Sequence, residues 1–88
     1  MSDRAFIVGV TAARIDDEVR RELGWPRINL TTWEDDDGRH VKYLNDPAQL
    51  HGVEAGTICY LAKGFDERDD WHELETAILE RQMDQQPL

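Results

Sequence analysis

The chain has 88 residues, nineteen acidic against ten basic, for a formal net charge of −9. That length fits one domain, and the charge disfavours nucleic acid and anionic membrane as partners while favouring basic protein surfaces. No apolar run reaches the ~18 residues of a membrane span, the start is too short and too soon acidic for a secretory signal, and the single Cys59 excludes an internal disulfide and fits a reducing cytoplasm.

Residues 6–10 form a short apolar run and read as a buried strand. Ala12, Ile15, Val19 and Leu23 then recur at helical spacing on one stripe, with Thr11 placed to cap. Asp16, Asp17 and Glu18 would favour the amino end of a helix that starts near Ile15. Gly24 and Pro26 stop the helix, and Trp25 should fold back onto its last turn. Residues 27–44 read as a β-hairpin about Asp37-Gly38. A four-residue loop at 35–38 would oppose Glu34 to Arg39 and gather Ile28, Leu30, Val41 and Tyr43 on one face. Trp33 and His40 would then point outward; a two-residue loop would redistribute the faces.

Asn45-Asp46-Pro47 signals a turn, residues 48–51 a helical turn, and residues 53–56 a tight turn into a strand at 57–62. That strand carries apolar groups on both faces, so it should be central, and Gly64 ends it. A last helix runs from Asp69 or Asp70 to Met83, with capping-box spacing at Asp70 and Glu73. Its buried stripe is Trp71, Leu74, Ile78 and Leu79, with Met83 near the end. Residues 82–88 read as a frayed tail. The expected fold is a single α+β domain over 1–88 in the order β-α-β-β-β-α. It has about four mainly antiparallel strands, with both helices packed on one face.

Catalytic patterns are lacking. His40, His51, His72 and Cys59 show no metal-ligand spacing. Asp35-Asp36-Asp37-Gly38 suggests a calcium loop, but the position that needs a glutamate is Leu44. Cys59 falls in a predicted strand core, where a thiol behaves as a small hydrophobe, and the only serine is Ser2. Residues 9–13 follow a strand and precede a helix, as a phosphate loop does, with one glycine and no lysine. The reading is a non-enzyme with no cofactor and no metal.

Two segments resemble known families. Ile15-Asp16-Asp17-Glu18-Val19-Arg20-Arg21-Glu22-Leu23-Gly24 resembles a segment of swapped-hairpin transcription regulators and antitoxins of the AbrB type, and residues 53–57 are similar to the turn that adjoins it there. In this chain some thirty residues separate the two. The resemblance implies a DNA-binding dimer using Arg14, Arg20, Arg21 and Arg27. Residues 60–79 are similar to the first unit of some Rossmann-like nucleotide-binding proteins, without the glycine-rich turn.

The acids cluster: three at residues 16–18, four at 34–37 and six at 66–75, thirteen of the nineteen. If these lie on one side, the domain presents a negative patch that could occupy a basic groove. Trp33 beside the acidic hairpin tip has the character of an interface hot spot. The candidate partner-binding residues are therefore Trp33, Asp35, Asp36 and Asp37, then Asp66, Glu67, Asp69 and Asp70. The favoured expectation is a cytoplasmic protein-binding module whose partner carries a basic surface. In size and charge it resembles small acidic bacteriophage proteins that inhibit host enzymes and defence systems. An AbrB-like regulator, a structural subunit of a larger assembly, and a homodimer paired through an edge strand remain open.

Overall fold

The computed structural model describes residues 3–88; Met1 and Ser2 lie outside them. β1 (Arg4–Val8) leads into α1 (Ala12–Glu22), then β2 (Arg27–Asn29), β3 (Thr32–Glu34) and β4 (His40–Tyr43). A 3-10 turn at Pro47–Leu50 precedes β5 (Ile58–Leu61), and another at Phe65–Glu67 precedes α2 (Trp71–Glu80) and β6 (Asp84–Pro87). All six strands join one sheet in the order β2-β3-β4-β1-β5-β6. β1 pairs parallel with β4 and β5, and β5 with β6; β3 runs antiparallel to both β2 and β4. The result is an α+β domain with two helices and a mixed sheet, in place of the expected four mainly antiparallel strands. Parallel neighbours need crossovers, which α1 with β2 and β3 supplies between β1 and β4, and α2 supplies between β5 and β6.

The helices lie on opposite faces of the sheet, which corrects the one-face expectation. On β1, Ala5 and Ile7 pack with Ile15 and Val19 of α1, together with Trp25, Trp33 and Val41. Phe6 and Val8 point the other way, to Leu74 and Ile78 of α2, with Leu50 and Cys59. A parallel strand buried on both sides needs cover on both. Gly9 lets α1 sit close: a Cβ there would come within 2.6 Å of Ile15 Cγ1.

The Thr11 hydroxyl accepts the Arg14 N–H at 3.1 Å, so α1 begins at Ala12 and the acids at 16–18 fall in its second turn rather than its first. Gly24, at φ +68°, ends the helix as read, and its N–H donates to the Val19 carbonyl at 2.8 Å. Trp25 folds back into the α1-side core. The predicted single hairpin is a three-stranded meander, because the chain turns at Leu30 and Thr31 between β2 and β3. Its β3–β4 register is one residue off the expected one. Glu34 opposes His40, and Trp33 opposes Val41. The Asp35 N–H donates to the Arg39 carbonyl at 3.0 Å, leaving a three-residue loop that ends at left-handed Gly38. A one-residue slip exchanges the two faces of a strand, so Trp33 turns inward and is fully buried.

The chain after α2 is a strand and not a frayed tail. The Asp84 N–H donates to the Thr57 carbonyl at 2.9 Å, and the Leu88 N–H to the Leu61 carbonyl at 3.1 Å. β5 is thereby flanked on both sides, as its two apolar faces predict. In α2, Leu74 and Ile78 are buried but Leu79 is exposed, and Met83 beyond the helix joins the core. Asp70 precedes α2 without a capping box.

Candidate functional site

The eight candidate residues divide into interior and surface, and between two ends of the sheet. The 35–39 loop precedes β4, while residues 62–70 follow β5. Since β4 and β5 both run parallel to β1, these acidic segments sit at opposite ends. They therefore do not lie on one side, and the condition for one negative face is not met.

At the amino end, Asp35 is interior. Its Oδ1 accepts the N–H groups of Asp37 at 3.0 Å and Arg39 at 2.9 Å. Its Oδ2 accepts Arg39 Nη1 at 3.1 Å and the Tyr60 hydroxyl at 3.0 Å. Burial pushes this carboxyl upward, but the Arg39 N–H, the Arg39 guanidinium, the Tyr60 hydroxyl and the Asp37 N–H together hold it below its ordinary value. The same site, chiefly through burial and then through the bond to Asp35, raises the Tyr60 phenol to about 12. Asp35 thus builds the loop from inside, while Asp36 and Asp37 are exposed. Arg39 Nη1 also reaches Asp37 Oδ2 at 2.9 Å, leaving Asp36 as the tip acid without an ion pair among the described residues.

Trp33 belongs to a second buried centre that sequence reasoning missed. Its indole N–H donates to Asp16 Oδ1 at 3.0 Å. Asp16 Oδ2 takes Arg20 Nη2 and, at 3.3 Å, Arg27 Nη1. The indole bond is the main influence that keeps this carboxyl low, against burial and helped by the two arginines. The signal was present in the spacing: Ala12, Asp16, Val19 and Leu23 also follow helical steps, so Asp16 flanks the buried stripe. Glu18, from the same acidic run, accepts the Lys63 N–H at 2.8 Å.

At the carboxyl end, Arg68 is the organising residue. Its Nε and Nη2 hold both oxygens of Asp70 at 2.8 and 2.9 Å. Nη1 reaches the Gly9 carbonyl at 3.2 Å and the Tyr43 hydroxyl at 3.1 Å, and Nη2 reaches Asn45 Oδ1 at 3.1 Å. This bidentate pair holds Asp70 below the usual carboxylate range. One guanidinium therefore ties the segment after β5 to the ends of β1 and β4. Asp66, Glu67 and Asp69 stay exposed around it. A lone arginine within an acidic run was the visible cue.

Cys59 is fully buried, and burial lifts its thiol to about 12, so it is not a thiolate at neutral pH. Among the described residues no group of three His, Cys, Asp or Glu side chains is arranged to hold a metal ion, and no helix is long and apolar enough to cross a membrane. Compared with known proteins, the chain matches no family model, no curated protein and no solved structure.

Proposed function

We propose that this chain is a small, non-enzymatic protein-binding module that meets a basic surface of its partner through Asp36 and Asp37, with Asp66, Glu67 and Asp69 as a second contact at the other end of the sheet. The observation that carries the reading is the architecture of the tip. A buried carboxylate, Asp35, fixes the loop through four hydrogen bonds, and the two acids beside it face solvent. A loop ordered before binding loses little freedom on binding. The exposed acids raise the rate of encounter with a basic partner and select for it.

The non-enzymatic part of the reading is supported at the carboxyl edge. Open sheets with parallel strands place ligands in the crevice beyond the carboxyl ends of the strands. Here the Arg68 side chain, about nine-tenths buried, occupies the ends of β1 and β4 and is bonded to its own chain. In the DNA-binding alternative, Arg20 and Arg27 would have to leave Asp16 to face phosphates. Size and charge support a bacteriophage or mobile-element product that inhibits or redirects a host protein.

The test is an affinity pull-down of tagged protein from bacterial lysate, read by mass spectrometry, beside an Asp36→Lys, Asp37→Lys variant. Asp35 is left intact because it holds the fold. One protein enriched by the wild type and lost with the variant is the expected result. Enrichment that the variant leaves unchanged removes the tip from the reading. A duplex-DNA gel shift at low salt, abolished by Arg14→Glu, would favour the regulator instead.

A further inference from the structure

The side of the sheet that packs α2 is only half covered. α2 and the Pro47–Leu50 turn bury Phe6, Val8 and Cys59 there, over β1 and β5. Toward β4, β3 and β2 the same side presents His40 and Lys42, with Thr32 beside Lys42. The register puts Arg4 beside His40 and Phe6 beside Lys42, so these side chains share one strip. A groove of about 540 Å³ runs along it. Its walls are Arg4, His40 and Lys42, its floor Phe6 and Thr32, and its rim Ile28, and no carboxylate lines it. Glu34, opposite His40 on the same side, lies outside that lining.

In a chain with nineteen acidic residues and ten Lys and Arg, a concavity that holds Arg4 and Lys42 beside His40 and no acid concentrates the minority sign. Lys42 makes no ion pair among the described residues. Screening confines the net negative charge to short range, about 8 Å at physiological salt, so an occupant seated in the groove meets the local cations first. Ile28, 46% exposed, adds an aliphatic group beside the amides of Asn29 and Gln49, and Leu30 on the adjoining turn is 76% exposed. A nucleic acid would want a row of exposed rings for base stacking; of the groove's two rings Phe6 is 2% exposed, which leaves the His40 imidazole alone.

From this complementarity we propose that the groove docks an acidic peptide segment of a partner protein, its carboxylates meeting Arg4 and Lys42 and an aliphatic side chain meeting Ile28. This surface is opposite in sign to the hairpin tip and does not depend on it.

The experiment is selection from a random displayed peptide library on the wild-type protein. The selected sequences are then synthesised and titrated against Lys42→Glu, His40→Glu and Ile28→Asp variants, each checked for folding by circular dichroism. Expected are peptides rich in Asp and Glu with interspersed Leu, Ile or Val. Their affinity should fall about tenfold or more with Lys42→Glu, and with the negative charge that His40→Glu introduces, and fall with added salt. The Asp36→Lys, Asp37→Lys variant should bind them unchanged, which separates this groove from the tip. Basic or neutral selected peptides, no selected peptides, or acidic ones indifferent to the three groove variants would overturn the proposal. Binding of a single-stranded oligonucleotide, or self-association, that Lys42→Glu abolishes while peptide binding is absent would assign the groove to those occupants and overturn it too.

Discussion

Asp35 and Asp36 are adjacent, chemically identical, and unequal in what they hold. Replacing Asp35 by Ala leaves the Tyr60 hydroxyl and two loop N–H groups without their acceptor, while Arg39 keeps its bond to Asp37. Leaving buried donors unsatisfied costs about 1–3 kcal/mol. Asp36→Ala removes an exposed side chain without an ion pair, and surface changes of that kind stay within about 0.5 kcal/mol. Urea denaturation of the two variants checks the contrast; equal losses would refute the anchoring role of Asp35. Trp33 behaves like Asp35. Trp33→Phe keeps an aromatic ring in the core but leaves Asp16 Oδ1 without its indole donor. Asp16 sits 6% exposed beside Arg20 and Arg27, so the orphaned oxygen adds about 1–3 kcal/mol to the loss of ring contacts. Asp16→Asn made together with Trp33→Phe should cost less than the two single changes summed, because both disrupt one bond.

At the scale of elements, what could be read from sequence was whatever announces itself locally. The stop of α1 at Gly24 and Trp25, the helical turn before His51 and the central place of β5 each rest on a few neighbouring residues. What could not be read was set by pairing across the fold. The β3–β4 register turned on whether the tip loop held three residues or four, and that one-residue difference moved Trp33 from surface to core. It also decided which of the candidate binding residues were available at all. β6 was hidden because Asp-Gln-Gln-Pro has neither alternation nor β-branched residues; it is a strand because β5 offers it a free edge. The turn into β6 carries a cost that can be tested. Gln82 follows α2 at φ 53°, in the left-handed region where a side chain costs roughly 1–2 kcal/mol. Gln82→Gly should therefore raise the unfolding free energy by about 0.5–1 kcal/mol, since glycine brings some unfolded-state entropy of its own. The bond from the Gly56 N–H to the Gln82 carbonyl is backbone to backbone and survives the change. A lower denaturation midpoint in urea would show that the Gln82 side chain contributes more than its backbone strain costs.

For the whole molecule the two kinds of acid make opposite demands, and pH with salt can separate them. Asp16, Asp35 and Asp70 all titrate below the ordinary value of 3.8 in the folded state, so the unfolded chain binds protons more readily through the acid range. Stability from these groups is complete above the unfolded value and is lost as pH falls through the lower folded values. The exposed acids act the other way. A net charge of −9 on a chain with a radius of gyration of 11.8 Å repels itself, and that repulsion weakens as carboxylates protonate. Salt discriminates, because it screens exposed charges while leaving buried pairs nearly untouched. At pH 7, raising sodium chloride from about 20 mM to about 500 mM should increase Tm, since most ion pairs among the described residues involve a buried aspartate or the buried Arg68. Near pH 4.6, the isoelectric point, the salt-dependent gain should shrink, because little net charge remains to screen. At pH 3 Tm itself should lie below its pH 7 value, because the unfolded chain binds protons at Asp16, Asp35 and Asp70 more readily than the folded one. Scanning calorimetry over that grid checks both statements. A Tm that falls with salt at pH 7 would mean that surface pairs outweigh self-repulsion. A Tm that rises from pH 7 to pH 3 would mean that the three low-titrating carboxylates do not stabilise the fold.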